Sequence, residues 1–256
     1  MNASTISDSS MLPFLKLLAH ELRWILLAEL AASDRRVGEL VSSMGRPQNL
    51  VSYHLAQLRD GGLVTEQRSS ADGRDIYYTL DLSVLGEGLR RSGGALHPAL
   101  GGSPNESSRP AAGRLARVLF LCTHNSARSQ MAEALLQAVM GEGALVASAG
   151  SEPSAVHPLA VRVMAERGID ISRRRSKHLG ELTGQSWDRV ITVCDRVREV
   201  CPVFPQETVT AHWSVRDPAA VVGDEDERLA VFRTAAGDIE RRIDYFKWVI
   251  QSDSIH

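Results

Sequence analysis

A short apolar run followed at once by a cysteine constrains the second half of this 256-residue chain more than any other feature. Residues 118–121, Val-Leu-Phe-Leu, form a continuous apolar segment of the kind that occupies a buried parallel strand. Cys122 follows directly, Arg128 comes after five further residues, and a helical pattern begins at about Ser129. A loop between strand and helix directs backbone N–H groups and the positive end of the helix at one point. The pattern therefore predicts an anion-binding site that contains a nucleophilic thiolate.

The side chains of this loop have complementary roles in binding an oxyanion. Arg128 offers a planar guanidinium fork that suits a tetrahedral oxyanion. The same positive field should stabilise the Cys122 thiolate and depress its pKa well below the usual ~8.5. We expect Ser129 to donate a hydrogen bond to that sulfur and Asn125 to hold the shape of the loop through its amide. The other members of the predicted oxyanion loop are Thr123, His124, Ser126 and Ala127.

Strand-like and helix-like segments alternate through the rest of the second half. Further strand candidates lie at residues 144–149, 189–193 and 208–212, and helix candidates lie at residues 129–140, 157–167, 195–200 and 225–250. This alternation predicts an α/β domain in which helices cover both faces of a parallel sheet. Ligands of such folds bind at the carboxyl ends of the strands, which is where Cys122 stands.

Residues 118–136 (VLFLCTHNSARSQMAEALL) resemble the anion loop of the low-molecular-weight protein tyrosine phosphatase fold, and more closely the arsenate reductases of that fold. The resemblance runs through most of residues 116–250 and implies a four-stranded parallel sheet with flanking helices. Displacing an oxygen from a tetrahedral oxyanion requires a proton for the leaving group. An Asp-Pro pair is by itself only a turn signal, but its position matches the family, which implies that Asp217 is the general acid.

The two later cysteines bear on the choice between phosphatase and reductase. A phosphatase needs only Cys122, Arg128 and Asp217, whereas a reductase must move two electrons and needs further thiols. Cys194 ends the third strand candidate and Cys201 lies seven residues later. A helix between them would separate the sulfurs by about 10 Å, too far for a disulfide, so we expect this segment to be mobile. The spacing resembles that of thioredoxin-coupled arsenate reductases, which implies a relay from Cys122 through Cys194 to Cys201.

The residues after the Asp-Pro pair favour a small substrate. Phosphatases of this fold usually carry aromatic side chains there, whereas this chain has Ala219 and Ala220. We therefore expect arsenate as substrate, arsenite as product and thioredoxin as electron donor, with no bound cofactor and no metal. Two alternatives stay open, namely a low-molecular-weight protein tyrosine phosphatase with a regulatory domain and a non-enzymatic repressor that senses an oxyanion.

The first half of the chain predicts three helices and then a β-hairpin, which is the order of a winged helix-turn-helix domain. The helices are expected at residues 12–32, 37–44 and 47–59, and the hairpin strands at 63–68 and 76–80. Residues 18–23 and 47–64 resemble the ArsR-type repressors, which implies a homodimer that binds operator DNA. This half contains no cysteine, so a thiolate site for arsenite is impossible within it.

The third helix of such a domain enters the major groove, where Gln and Asn side chains can pair with adenine. The formal net charge of −2 gives no overall attraction to nucleic acid, so any DNA binding depends on a local patch. On the third helix the predicted DNA-facing residues are Gln48, Asn49, Ser52, Tyr53 and His54. Arg46 beside the helix and Arg68 and Arg74 on the wing are expected to contact phosphates.

Composition separates the two halves and suggests a compartment. Residues 92–113 are rich in Gly, Pro, Ser and Ala, so we predict domains at 11–91 and 115–256 joined by a flexible linker at 92–114. Three cysteines in a long chain argue against a disulfide scaffold. No apolar stretch approaches the ~20 residues of a membrane span, and the first residues lack the features of a secretory signal. We therefore expect a cytoplasmic protein without membrane contact.

Overall fold

The computed structural model describes residues 11–71, 73–97, 100, 115–182, 184–200, 204–205 and 207–253. The chain divides into two compact units. The first comprises residues 1–68 and 74–109, and the second comprises residues 110–256 together with residues 69–73. Within the described residues each unit has its own cluster of buried apolar side chains, so each is described by itself.

The first unit combines five helices with a small antiparallel sheet among the described residues. The helices are α1 (Met11–Leu18), α2 (Glu21–Ala32), α3 (Val37–Met44), α4 (Gln48–Asp60) and α5 (Leu82–Leu96). The strands are β1 (Arg35–Arg36), β2 (Val64–Arg68) and β3 (Ile76–Leu80), and they lie in the order β1-β3-β2. Leu26, Leu40 and Leu55 are fully buried and join α2, α3 and α4 in one core. This arrangement confirms the predicted winged helix-turn-helix class.

Three details of the first unit differ from the sequence prediction. The first helix is interrupted at Ala19 and His20, because the His20 side chain accepts a hydrogen bond from Leu22 N and starts α2 afresh. The two-residue strand β1 was not predicted. Helix α5 was not predicted either, and it continues through Gly93 to Leu96 although the predicted linker begins at residue 92. Asp81 caps α5 by accepting hydrogen bonds from the backbone N–H groups of residues 83 and 84. Most of the predicted linker, residues 101–114, lies outside the described part of the chain.

The second unit alternates strand and helix along the chain. Its strands are β4 (Ala116–Cys122), β5 (Ala144–Gly150), β6 (Arg189–Thr192) and β7 (Val209–His212), and its helices are α6 (Arg128–Met140), α7 (Pro158–Ala165), α8 (Asp195–Val200) and α9 (Glu225–Asp253). The four strands are parallel and lie in the order β5-β4-β6-β7. This confirms the predicted α/β class with a four-stranded parallel sheet.

Central strand β4 shows why residues 118–121 are continuously apolar. All four side chains have no exposed surface, because neighbouring strands flank β4 and helices pack against it. A strand buried on both faces needs apolar residues at consecutive positions rather than at alternate ones. Cys122 therefore lies at the carboxyl end of this central strand, at the start of the loop that leads to α6. No helix among the described residues has the length and apolar character needed to span a membrane.

Candidate active site

The candidate site is built where β4 ends and α6 begins. Cys122 is the last residue of β4 and is 3% exposed, while Arg128 is the first residue of α6 and is 7% exposed. The intervening residues 123–127 form the tight connection expected of an anion-binding loop. Backbone N–H groups of residues 152, 154 and 157 donate to the carbonyls of residues 123, 124 and 126, so a neighbouring segment holds the outer side of this loop.

Two groups of the loop contact the Cys122 sulfur. The backbone N–H of Asn125 donates to Sγ at 3.1 Å, and the Ser129 hydroxyl oxygen lies 2.9 Å from Sγ. The Asn125 amide Nδ2 donates to the same hydroxyl oxygen at 2.9 Å. Because the Ser129 oxygen accepts from Asn125, its own hydrogen is available to the sulfur, which suits a thiolate.

Asn125 organises the loop from within. It is fully buried and adopts a φ of 47°, in the left-handed region that Asn tolerates better than most residues. Its Nδ2 also donates to the Ser148 hydroxyl at 2.8 Å. Its Oδ1 accepts from Gln130 Nε2 at 3.1 Å and from the backbone N–H of Lys177 at 2.8 Å. The amide thus uses both hydrogens and both lone pairs.

Gly150, at the end of β5, allows the loop to approach the sheet closely. A Cβ at this position would lie 2.5 Å from the backbone oxygen of Thr123 and 2.8 Å from the backbone nitrogen of Asn125. Neither backbone atom can move without distorting the loop. The residue segment 148–150 therefore contributes to the site through Ser148 and through the absence of a side chain at position 150.

The pKa of Cys122 departs from the sequence prediction. Burial of the thiol raises its pKa above the ordinary value, and the nearby Cys194 sulfur raises it further. The hydrogen bond with Ser129 and the positive charge of Arg128 act in the opposite direction without overcoming burial. The expected depression of the Cys122 pKa is therefore wrong for this structure, in which burial outweighs the hydrogen bond with Ser129 and the charge of Arg128.

The Arg128 guanidinium is paired with the carboxylate of Asp217. Arg128 Nη2 donates to Asp217 Oδ2 at 2.9 Å, and Arg128 Nη1 donates to the Val215 carbonyl at 3.0 Å. The Asp217 side chain also caps a 3-10 turn at Pro218–Ala220 by accepting from Ala219 N at 3.1 Å. The structure thus brings together the predicted anion clamp and the predicted general acid, which are far apart in the sequence.

Of the two later thiols, Cys194 lies at the loop. It follows β6, is 1% exposed, and its Sγ lies 3.3 Å from the Thr123 hydroxyl oxygen. Among the described residues both Cys122 and Cys194 are free thiols. Cys201 lies outside the described residues, so its distance from Cys194 stays a prediction.

His157 is a site residue that nothing in the sequence singled out. Its backbone N–H donates to the Ser126 carbonyl at 2.8 Å, and its ring stacks on Phe232 at 4.6 Å between centroids. Burial and the positive charge of Arg228 lower the pKa of His157, while the negative charge of Asp217 raises it. His157 therefore lies near the candidate acid Asp217, and its imidazole is neutral at pH 7.

The predicted DNA-facing residues lie on α4 and on the hairpin. Arg46, Gln48, Asn49, Tyr53, Arg68 and Arg74 are exposed, and Ser52 is half-buried. His54 is only 4% exposed, so the prediction that it faces DNA is wrong. It lies on the buried side of α4 with Val51 and Leu58, and its ring packs 4.3 Å from that of His20. Among the described residues no three His, Cys, Asp or Glu side chains converge on a possible metal site.

Family models match both parts of the chain. Residues 117–254 match the family model described as low molecular weight phosphotyrosine protein phosphatase. Residues 20–75 match the model of the MarR family, so the winged domain is matched to MarR proteins and not to the ArsR-type repressors that its segments resemble.

Similar curated proteins are named as arsenate reductases. The chain is 42% identical over 129 residues to arsenate reductase of Halalkalibacterium halodurans and 38% identical over 129 residues to that of Bacillus subtilis, and each alignment covers 50% of this chain and 93% of the relative. A solved structure described as an arsenate reductase in oxidized state is 32% identical, with a TM-score of 0.47, covering 53% of this chain and 99% of that one. Through residues 117–254 the chain belongs to the low molecular weight phosphotyrosine protein phosphatase family.

Proposed function

We propose that residues 115–256 reduce arsenate to arsenite through Cys122, Cys194 and Cys201, and that residues 11–91 bind operator DNA as a transcriptional regulator, with residues 92–114 as a linker. The observation that carries the enzymatic proposal is the second buried thiol, Cys194, 3.3 Å from the hydroxyl of the residue next to Cys122. Hydrolysis of a phosphate ester needs no such thiol. Reduction of arsenic does, because two electrons must leave the protein as a disulfide forms.

The first step joins the nucleophile to arsenic. The Cys122 thiol passes its proton to the Asp217 carboxylate, and the resulting thiolate attacks arsenate. An S–As bond forms, one As–O bond breaks, and Asp217 gives that proton to the leaving hydroxyl oxygen, which departs as water. Arg128 and the backbone N–H groups of the loop hold the remaining oxygens. For this step Arg128 exchanges its hydrogen bond with Asp217 for one with the oxyanion, which frees the carboxyl group to act as the acid.

The next two steps move the oxidation away from the site. The Cys194 thiolate attacks the Cys122 sulfur, so an S–S bond forms and the electron pair of the S–As bond passes to arsenic, which leaves as arsenite. The Cys201 thiolate then attacks the Cys194 sulfur and releases Cys122 as a thiolate. A dithiol protein of the thioredoxin type reduces the Cys194–Cys201 disulfide and completes the cycle. The chain is about 40% identical to relatives that are named arsenate reductases, which supports arsenate as the substrate.

A coupled assay tests the enzymatic proposal. Arsenate added to the full chain with thioredoxin, thioredoxin reductase and NADPH should cause NADPH oxidation, and inorganic phosphate should not. Cys122→Ser, Cys194→Ser and Cys201→Ser should each abolish steady-state turnover, since serine is nearly isosteric but cannot form a disulfide. Full activity of both Cys194→Ser and Cys201→Ser would overturn the relay.

Hydrolysis of p-nitrophenyl phosphate separates reductase from phosphatase, because it requires only Cys122, Arg128 and Asp217. We expect the wild type to favour arsenate reduction, because Ala219 and Ala220 offer no aromatic wall for a phenyl ring. Efficient hydrolysis without arsenate-dependent NADPH oxidation would instead identify a protein tyrosine phosphatase.

The regulatory proposal depends on the exposed face of the winged domain. Gln48, Asn49 and Tyr53 are exposed on the N-terminal half of α4, the helix that would enter the major groove. Arginines 46, 68 and 74 are also exposed, as phosphate contacts require. We propose that the chain acts as a homodimer on operator DNA of an arsenic-resistance operon, with the match of residues 20–75 to the MarR family in support of DNA binding.

A gel-shift titration over a range of salt concentrations tests this proposal. The logarithm of the affinity for the chain's own upstream region should fall linearly with the logarithm of salt, because arginines displace counterions. Gln48→Ala should weaken binding to that region by roughly tenfold without changing the salt slope, since a base contact is worth ~1–3 kcal/mol. Ser42→Ala on the exposed surface of α3 is the matched control. Equal affinity for unrelated DNA would reject a sequence-specific regulator.

A further inference from the structure

Four buried polar side chains lie beside Cys194 in the second unit and have no part in the chemistry described above. They are Thr192, Asp195, His212 and Ser214, and each is at most 6% exposed. His212 Nε2 lies 3.0 Å from Asp195 Oδ1, and the Ser214 hydroxyl donates to the same oxygen at 2.8 Å. His212 Nδ1 lies 2.7 Å from the Thr192 hydroxyl oxygen. We name these four residues the β6–β7 clasp.

The clasp holds the chain on both sides of Cys194. Thr192 precedes the cysteine by two residues on β6, and Asp195 follows it directly at the start of α8. Both are joined to one imidazole on the neighbouring strand β7. A single side chain, His212, therefore links the side chain of a residue before the thiol to that of a residue after it.

The clasp is costly to open. A buried carboxylate that loses its partners keeps its charge in a low-dielectric interior, which is strongly unfavourable. An ionised carboxylate can only accept hydrogen bonds, so His212 Nε2 carries the proton of its bond to Asp195. Burial alone would raise the pKa of Asp195, but the hydrogen bonds that it accepts from His212, from the backbone N–H of Ser70 and from Ser214 lower it to about 2. The carboxylate is thus ionised and partnered at neutral pH.

The proposed relay makes two opposed demands on this segment. The Cys194 sulfur must stay close to Cys122 for the attack that releases arsenite, whereas the chain after it must move for Cys201 to reach Cys194. A fixed point directly after Cys194 reconciles the two. Asp195 is the first residue of α8, so the clasp ends where the helix begins.

We propose that Asp195 and His212 are positioning residues for the second thiol, which they hold at the Cys122 loop while the rest of α8 rearranges. This inference rests on the proposed reductase function. It assigns no contact with substrate to either residue. Both act through the backbone that flanks Cys194.

Alkylation of single thiols by iodoacetamide tests the clasp without needing arsenate. Cys194 is measured in the full chain carrying Cys122→Ser and Cys201→Ser, and Cys122 is measured in the chain carrying Cys194→Ser and Cys201→Ser. Asp195→Asn and His212→Gln should each raise the alkylation rate of Cys194 about tenfold and leave that of Cys122 within twofold. The exposed carboxylate variant Asp170→Asn is the matched control and should change neither rate.

A single-turnover measurement with all three cysteines present then tests the consequence for the relay. Asp195→Asn and His212→Gln should slow arsenite release at least tenfold, while equilibrium binding of inorganic phosphate to the loop stays within twofold. Unchanged Cys194 alkylation, a parallel rise at Cys122, or unchanged arsenite release would each overturn the positioning role. Absence of arsenite release from the wild type would reject the proposed reductase, and the alkylation ratio would still decide whether the clasp holds Cys194.

Discussion

Replacing Asn125 should be among the most damaging single changes to the second unit. Its side chain makes four hydrogen bonds, to Ser129, Ser148, Gln130 and the backbone of Lys177, and all are at a fully buried residue. At about 1 kcal/mol each, their loss lowers the free energy of unfolding by about 4 kcal/mol in Asn125→Ala. Alanine must also adopt the φ of 47°, which adds about 1 kcal/mol.

A paired variant separates the two contributions. Asn125→Gly loses the same hydrogen bonds but has no Cβ, so it should be about 1 kcal/mol more stable than Asn125→Ala. Urea unfolding of the full chain, followed by the fluorescence of buried Trp187 and Trp213, reports on the second unit. A loss below 1 kcal/mol in Asn125→Ala, or a glycine variant less stable than the alanine variant, would refute this account of the loop.

Other substitutions give further tests. Asp217→Asn should lower kcat for arsenate by ~10²–10⁴-fold in the coupled assay, and an unchanged kcat would exclude Asp217 as the acid. The same variant should lower the pKa of Cys122 in an alkylation-pH profile, because Arg128 loses its carboxylate partner. Gly150→Ala should abolish arsenate turnover, because its Cβ meets loop backbone at 2.5 Å, whereas Gly237→Ala in α9 should keep full activity. Asp195 has a folded pKa of about 2, below its unfolded ~3.9, so its stabilisation is present above about pH 4 and lost as pH falls toward 2. The urea midpoint of Asp195→Asn should therefore depend less on pH between 5 and 3 than that of the wild type. An equal pH dependence in the two proteins would contradict a stabilising role for the Asp195 carboxylate. Asp81→Ala should cost the first unit about 1 kcal/mol by removing the α5 cap, and an unchanged thermal midpoint of that unit would contradict the cap.

The elements that could be predicted are those whose pattern is local. The continuous apolar run at residues 118–121, with Cys122 and Arg128 after it, specifies a buried strand, a loop and a helix within a dozen residues. The sheet of the second unit follows from repeated alternation of strand and helix. In both cases the information lies in hydrophobic spacing and in residues close together in the chain.

The errors have equally local causes. Apolar spacing continues across Ala19 and His20, so periodicity could not reveal that His20 caps a new helix. The glycines at residues 93 and 94 suggested a linker, yet the capped start at Asp81 and packing of Leu85 against the core sustain α5. His54 was predictable, because it lies three residues after buried Val51 and four before buried Leu58 and so shares their face of α4.

Other parts of the site depend on approach between distant segments. Nothing near Arg128 indicates that its guanidinium contacts Asp217, because 89 positions separate the two residues. The same holds for His157 beside the loop and for the clasp between β6 and β7. Such contacts arise from the packing of strands and helices, so they are found only once the fold is known.

In the proposed reductase, the hydrogen bond between Arg128 and Asp217 would make the site selective among competing anions. Any oxyanion that enters must outcompete a carboxylate already bound to the guanidinium, so its apparent affinity is reduced by the fraction of molecules in which that pair is closed. A chloride ion offers one contact and gains little from the exchange. A tetrahedral dianion offers several oxygens to the guanidinium and the loop N–H groups at once. Such an anion forms more hydrogen bonds than the displaced Asp217 carboxylate made, so it binds in preference to a monovalent ion.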